Sequence, residues 1–290
     1  MTVLRRRRAT SIGFLAILLW ALLALLTVGS APVPPLQLNA VCFAIGGSMG
    51  LIWLLISGRV GRLREVSLVT YAFGTLGLFG YHALYFAALR SAPAAQAGLI
   101  AYLWPLLIVL FSGLLPGERL RPGHLIGALC GFGGAAVILG GDASYAAEAR
   151  LGYLFAAACA LTWSGYSVLS RRMARVPTES VVVFCLATAI LSLGLHLGFE
   201  QTLWPTHRLG WAAMIALGLG PVGLAFYVWD HGVKHGDIQM IGVASYAAPL
   251  LSTFILVAAG IAAPSWRLIV AAVLITAGAA LAARASLRKP

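Results

Sequence analysis

Tyr81, His82 and Tyr85 stand near the end of one apolar run, and Tyr102, Trp104 and Pro105 lie inside the next. Tyr81 and Tyr85 are spaced i, i+4, so a helix puts them on one face with His82 beside it. Tyr102 and Trp104 precede Pro105, whose missing N–H frees a carbonyl about one turn earlier for a polar ligand. Rings with a polar tip can stack on an apolar side chain and also hydrogen-bond an ammonium or carboxylate. Such residues offer recognition of a small molecule rather than bond making. Trp20 and Trp163 add two rings in the middle of their own runs, where an interfacial role is weakest. The competing account is a belt of Trp and Tyr at the membrane surface, and it weighs most on Tyr85. For His82, titration or carboxylate binding competes with a neutral imidazole bonded to a neighbour.

These rings belong to a chain that reads as an integral membrane protein. Of 290 residues, 61% are hydrophobic and only 10% charged, whereas soluble domains carry about a quarter charged residues. Ten apolar runs of roughly 17 to 22 residues each suffice to cross ~30 Å of hydrocarbon as a helix. They fall near 12–28, 36–57, 66–89, 94–115, 123–140, 151–170, 179–198, 209–229, 238–259 and 266–283. A transmembrane barrel is excluded, because its strands would alternate polar and apolar residues. Arg5 to Arg8, the first run and Gly29-Ser30-Ala31 also fit a cleaved signal peptide; the nine runs that follow favour a retained first helix.

The net charge of +12 lies in short clusters between runs and presents no single basic face, so nucleic acid is not a partner. Of the 20 Lys and Arg, only Arg90, Arg150, Arg208 and Arg267 fall on the side opposite the N-terminus. The positive-inside rule then places both termini in the cytoplasm. The cysteines, 42, 130, 159 and 185, are scattered through apolar runs and read as small buried hydrophobes.

A repeat organises the runs. Sliding the chain by 144 positions lays Arg90 on Lys234, Tyr102 on Tyr246, Pro105 on Pro249, and Gly134-Ala135-Ala136 on Gly278-Ala279-Ala280. With a few residues of slack, Trp20 meets Trp163. The expected units are residues 1–141 and 151–290, joined by an external linker at 142–150. Five spans is an odd number, so the second unit must lie inverted relative to the first, as in secondary transporters whose substrate path runs at the repeat interface. Tyr246 could then line the path symmetrically with Tyr102. Pro105, Pro221 and Pro249 are the expected kinks or hinges. Tyr81, His82 and Trp104 fall opposite Ala225, Phe226 and Ala248 and are the sharper candidates for substrate choice.

No Asp, Glu, Lys or Arg lies in the middle of an expected span, although such a residue usually marks an ion or proton path. The cargo should be neutral overall, zwitterionic, or a delocalised cation held by ring faces. Asp230, His231, Lys234, His235 and Asp237 crowd one span end, where a solvated turn outweighs a charge gate and, further behind, a metal site. His196 and His207 read as solvated loop residues. Gly74, Gly77 and Gly80, and Gly218, Gly220 and Gly223, read as helix-packing positions. No metal, cofactor or enzymatic nucleophile-base pair is indicated.

The stretch 89–139, with its proline, the Gly117-Glu118-Arg119 turn and the glycine-rich run after it, resembles the EamA-type repeat of the drug/metabolite transporter superfamily. The second half departs from it by carrying Gly260-Ile261 where the first has Gly117-Glu118. The aromatic set Trp20, Tyr81, Tyr85, Tyr102, Trp104 and Trp163 is similar to that of bacterial exporters of aromatic amino acids in this family. The resemblance implies a multi-pass transporter of the bacterial inner membrane that exports small amino acids and metabolites by alternating access, aromatic ones favoured. Without a buried carboxylate, an uncoupled facilitator is the simpler energetic expectation. A drug or quaternary-cation exporter of the same fold is the alternative. The sequence leaves the oligomeric state open, with a monomer favoured.

Overall fold

The computed structural model describes residues 3–139 and 147–287; Gly140 and most of the expected linker, 142–146, lie outside the described residues. Among the described residues the chain is helical, with no strand. Five long helices are unbroken: α3 (Pro35–Ile56), α4 (Leu68–Ser91), α8 (Arg150–Arg172), α9 (Val181–Phe199) and α14 (Trp266–Leu287), with α7 (Pro122–Leu139) slightly shorter. The others form interrupted rods: α1 (Val3–Ala21) with α2 (Leu23–Gly29), α5 (Ala94–Ala101) with α6 (Trp104–Ser112), α10 (Arg208–Leu219) with α11 (Ala225–His235), and α12 (Ile238–Ala244) with α13 (Ala247–Ala258).

Among the described residues seven helices are long and apolar enough to cross a membrane, and two shorter apolar helices cover Gln96–Ser112 and Pro122–Ile138. The expectation of ten spans is thus met at seven by length and composition. The exceptions have physical reasons. Thr162, Ser164, Ser167 and Ser170 dilute the apolarity of α8, because they are buried or half-buried against other helices and need not face lipid. The rod of α5 and α6 is short and broken in the middle.

The breaks follow from proline. Pro105 offers no N–H to the carbonyl of Ala101, so α5 stops there and α6 starts again at Trp104 after a turn at Tyr102 and Leu103. The Leu106 N–H is left over and donates to the Tyr246 hydroxyl at 3.0 Å. A matching turn at Ser245 and Tyr246 precedes Pro249 in α13. Pro221 lies in a widened turn, Gly220–Leu224, between α10 and α11. Such a bulge releases a carbonyl from the helix ladder, and here the Pro221 oxygen accepts the indole N–H of Trp20 at 3.1 Å.

Helices from before residue 140 run antiparallel along helices from after residue 147. α1 lies on α11, α3 on α9, α4 on α8 and α7 on α14. Two contacts show how close they come. A Cβ on Gly232 would sit 2.5 Å from the Cα of Gly13, and a Cβ on Gly127 would sit 2.5 Å from the carbonyl oxygen of Gly278. Small residues let backbones approach where no hydrophobic force drives helices together. Gly74 and Gly77 serve the same end, facing the rings of Phe184 and Tyr166. The largest core cluster lies where α1, α3, α4, α6, α8, α9 and α11 converge.

Candidate functional site

At that convergence four indoles meet. Trp20 comes from the last turn of α1, Trp104 from the first residue of α6, Trp163 from the middle of α8 and Trp229 from α11. All six pairs are in ring contact, with centroids from 5.0 Å for Trp20 and Trp229 to 6.4 Å for Trp104 and Trp163. Edge-on packing dominates, as the quadrupoles of aromatic rings require. Two of the indole N–H groups are committed, Trp20 to the Pro221 carbonyl and Trp229 to Ser167 Oγ at 3.1 Å.

The α4 stripe covers one side of this tetrad. Tyr81 lies 5.4 Å from Trp163 and stacks on Tyr85 with the ring planes 2° apart. His82 sits edge-on to Phe43 at 5.0 Å and beside Phe226. Its Nδ1 lies 2.7 Å from the carbonyl of Leu78, a contact that requires Nδ1 to carry the proton. This is the bonded-imidazole account of the residue. Tyr102 reaches the tetrad through Trp104 at 6.2 Å. Trp20, Tyr81, His82, Tyr85 and Tyr102 are half-buried, while Trp104 and Trp163 are buried. Beside Gly98, one turn before Tyr102, there is open space.

The structure therefore brings Trp20, Tyr81, His82, Tyr85, Tyr102, Trp104 and Trp163 into one connected set of rings. Tyr85 stands inside the bundle rather than in a lipid-facing belt, packing against a small cluster around Cys159. Tyr246 is placed apart. It is fully buried between Phe132 and the start of α6, with its hydroxyl used by Leu106. Pro105 and Pro249 stand at the two rod breaks and Pro221 in the widened turn.

Several ring residues were missed from the sequence, among them Trp229, Phe226, Phe43 and Tyr166, the last 5.4 Å from Trp163. The 144-residue offset held the signal for two of them, since it lays Trp229 on Tyr85 and Phe226 on His82. Two readings need correction. Asp230 and Lys234 are not in a solvated turn; both are buried, 2.9 Å apart, with Thr178 Oγ1 donating to Asp230 at 2.7 Å and Lys234 donating to the Val176 carbonyl. The α11 helix runs six residues past the expected end at Trp229, and the 176–178 segment covers it. A charged pair thus does lie within a long apolar helix, starting at the residue after Trp229. His196 is also buried, bridging Glu200 and Thr202; Glu200 in turn accepts the Leu36 and Gln37 N–H groups at the start of α3 and pairs with Arg90 at 2.7 Å.

Ring faces and hydroxyls with no charged side chain in the set suit an apolar or aromatic side chain, or a delocalised cation. Among the described residues the ion pairs lie toward the two ends of the bundle, the Asp230 and Lys234 pair starting next to Trp229 and bordering Tyr166. The model of the EamA-like transporter family matches residues 8–140 and again 150–284. The chain is 56% identical over 280 residues to a protein of Ancylobacter novellus named aromatic amino acid exporter YddG, covering 96% of this chain and 97% of that one. A protein of the same name from Salmonella typhimurium is 28% identical over 85% of this chain and 87% of its own. A solved crystal structure 55% identical in sequence superposes with a TM-score of 0.93, covering 98% of this chain and all of that one.

Proposed function

The chain belongs to the EamA-like transporter family, and we propose that it exports small amino acids and related metabolites, aromatic ones favoured, by alternating access across the bacterial inner membrane. Membership makes it a multi-pass membrane protein whose business is transport rather than catalysis, and its relatives named as exporters support the outward direction. The observation that carries the substrate class is the tetrad with its α4 stripe: buried indole faces flanked by the half-buried Tyr81, His82, Tyr85 and Tyr102, with no charged side chain in the set. A zwitterion fits such a path, because its own charges cancel and its side chain supplies the apolar body.

In this reading residues 1–141 and 151–290 are two inverted five-helix repeats of ten spans in all, joined by the 142–150 linker, with both termini in the cytoplasm. The antiparallel pairing of helices across the halves supports that arrangement. Tyr81, His82, Tyr85, Tyr102, Trp20, Trp104 and Trp163 line the substrate path, and Tyr246 supports it from behind. Pro105, Pro221 and Pro249 let the broken rods bend. Transport runs as uncoupled facilitation by a monomer, the buried Asp230 carboxylate being already paired with Lys234.

Counterflow in proteoliposomes over a panel of amino acids tests this directly. Tryptophan, phenylalanine and tyrosine should exchange fastest, and an imposed pH gradient without a substrate gradient should drive no net flux. The second reading, export of drugs or quaternary cations, rests on the same ring faces, which attract cations. It wins if a delocalised cation is transported and labelled tryptophan fails to compete with it.

A further inference from the structure

The two halves carry the same tight turn after their broken rods, with Gly117 at φ +80° and Gly260 at φ +72°. The residue after each glycine differs. Glu118 follows Gly117, and Ile261, half exposed, follows Gly260. Glu118 is buried at 8% side-chain exposure and gathers two arginines, Arg6 of α1 at 3.1 Å and Arg171 of α8. Arg6 also reaches Asp237, the residue that caps α12, at 3.4 Å. Arg171 binds the carbonyls of Val233 and Gly236 at the end of α11. One carboxylate thus ties the turn after α6 to the ends of α1, α8 and α11, elements drawn from both halves.

The opposite end of the bundle has half of this device. The 144-residue offset lays Arg150, at the start of α8, on Arg6. Among the described residues Arg150 has no ion pair, and the place of Glu118 is taken by an aliphatic side chain. Glu200 at that end joins α9 to α3 and α4, which are other elements. That carboxylate crosses the halves, and it does not reach the turn after the broken rod.

We propose that Glu118 is a one-sided latch: its pairing with Arg6 and Arg171 holds the terminal end of the bundle shut, and substrate can load from that end only when the pairing opens. The inference rests on the alternating-access reading above. A charge-assisted hydrogen bond in a partly buried site shifts a two-state equilibrium by about tenfold or more.

Hydrogen exchange on Glu118→Gln in nanodiscs tests the latch without any substrate. Exchange should rise about tenfold in segments 3–10 and 233–240 and stay level or fall in 33–40 and 86–92. A rise at both ends alike means that the pairing only stabilises the fold, and no rise means that it holds nothing; either result overturns the proposal. A second arm places cysteines at Arg6 and Glu118 in a background lacking Cys42, Cys130, Cys159 and Cys185, and bridges them with a short cleavable bis-thiosulfonate. Flux of labelled tryptophan should fall at least tenfold on bridging and return on reduction, and undiminished flux in the bridged carrier overturns the latch. If the unbridged carrier moves no amino acid at all, the transport reading fails instead, and the exchange arm still decides the latch.

Discussion

The α4 stripe and its counterpart in α11 occupy equivalent places in two similar helices, yet they are buried to different degrees. Tyr81, His82 and Tyr85 are half-buried. Ala225, Phe226 and Trp229, 144 positions on, are 0%, 5% and 0% exposed. The broken rods repeat the contrast: Tyr102 is half-buried and Tyr246 is 0% exposed with its hydroxyl spent on the Leu106 N–H. Shared backbone geometry therefore fixes where a side chain stands, and its chemistry decides whether it packs or waits for a partner. In the first half the rings of Tyr81, Tyr85 and Tyr102 stay half-buried. In the second half the rings are bolted in place.

The comparison predicts that second-half substitutions cost stability and first-half ones cost selectivity. Trp229→Ala should be the most damaging, because it empties a fully buried indole from the tetrad and leaves Ser167 without its donor. A loss of about 3–5 kcal/mol is expected, read as a fall in thermal midpoint of the purified carrier. A midpoint within a degree or two of wild type would break the contrast.

Next comes Tyr246→Phe, which strands the Leu106 N–H at the rod break. The cost should be about 1–3 kcal/mol, whereas Tyr102→Phe should leave the midpoint almost unmoved. Equal effects from the two would show that the halves use this tyrosine alike.

Tyr81→Ala and Tyr85→Ala address selectivity. Counterflow of tryptophan relative to a small aliphatic amino acid should drop about tenfold, the order of one lost ring contact in a recognition site. An unchanged ratio in both would remove the path from the α4 side. The smallest effect is expected for His82→Gln, which retains a polar group on α4 and should alter flux less than about threefold. A much larger loss would mean that the imidazole itself titrates or binds substrate.

Much of the architecture was legible from spacing and composition. Apolar run lengths located the helices, the offset paired the rod breaks at Pro105 and Pro249, and the i, i+4 spacing foretold the stacking of Tyr81 on Tyr85. What escaped has a common cause. Trp229 was visible in the offset but sat at an expected span end, where a tryptophan reads as an interfacial anchor. Asp230 and Lys234 looked solvated because a charged pair beyond an apolar run usually is, and only the 176–178 segment folding over them buries both. His196 was misplaced for the same reason, with Glu200 and Thr202 closing around it.

By itself the sequence determined that this chain lives in a membrane as paired sets of helices, because run length, charge and internal repeat are properties of the covalent chain. Only the tertiary structure decided that four indoles from α1, α6, α8 and α11 form one tetrad, and that Glu118 holds two arginines from distant helices. Those contacts join residues separated by up to 209 positions, from Trp20 to Trp229. No local pattern encodes such a meeting; it follows from which helix faces pack together.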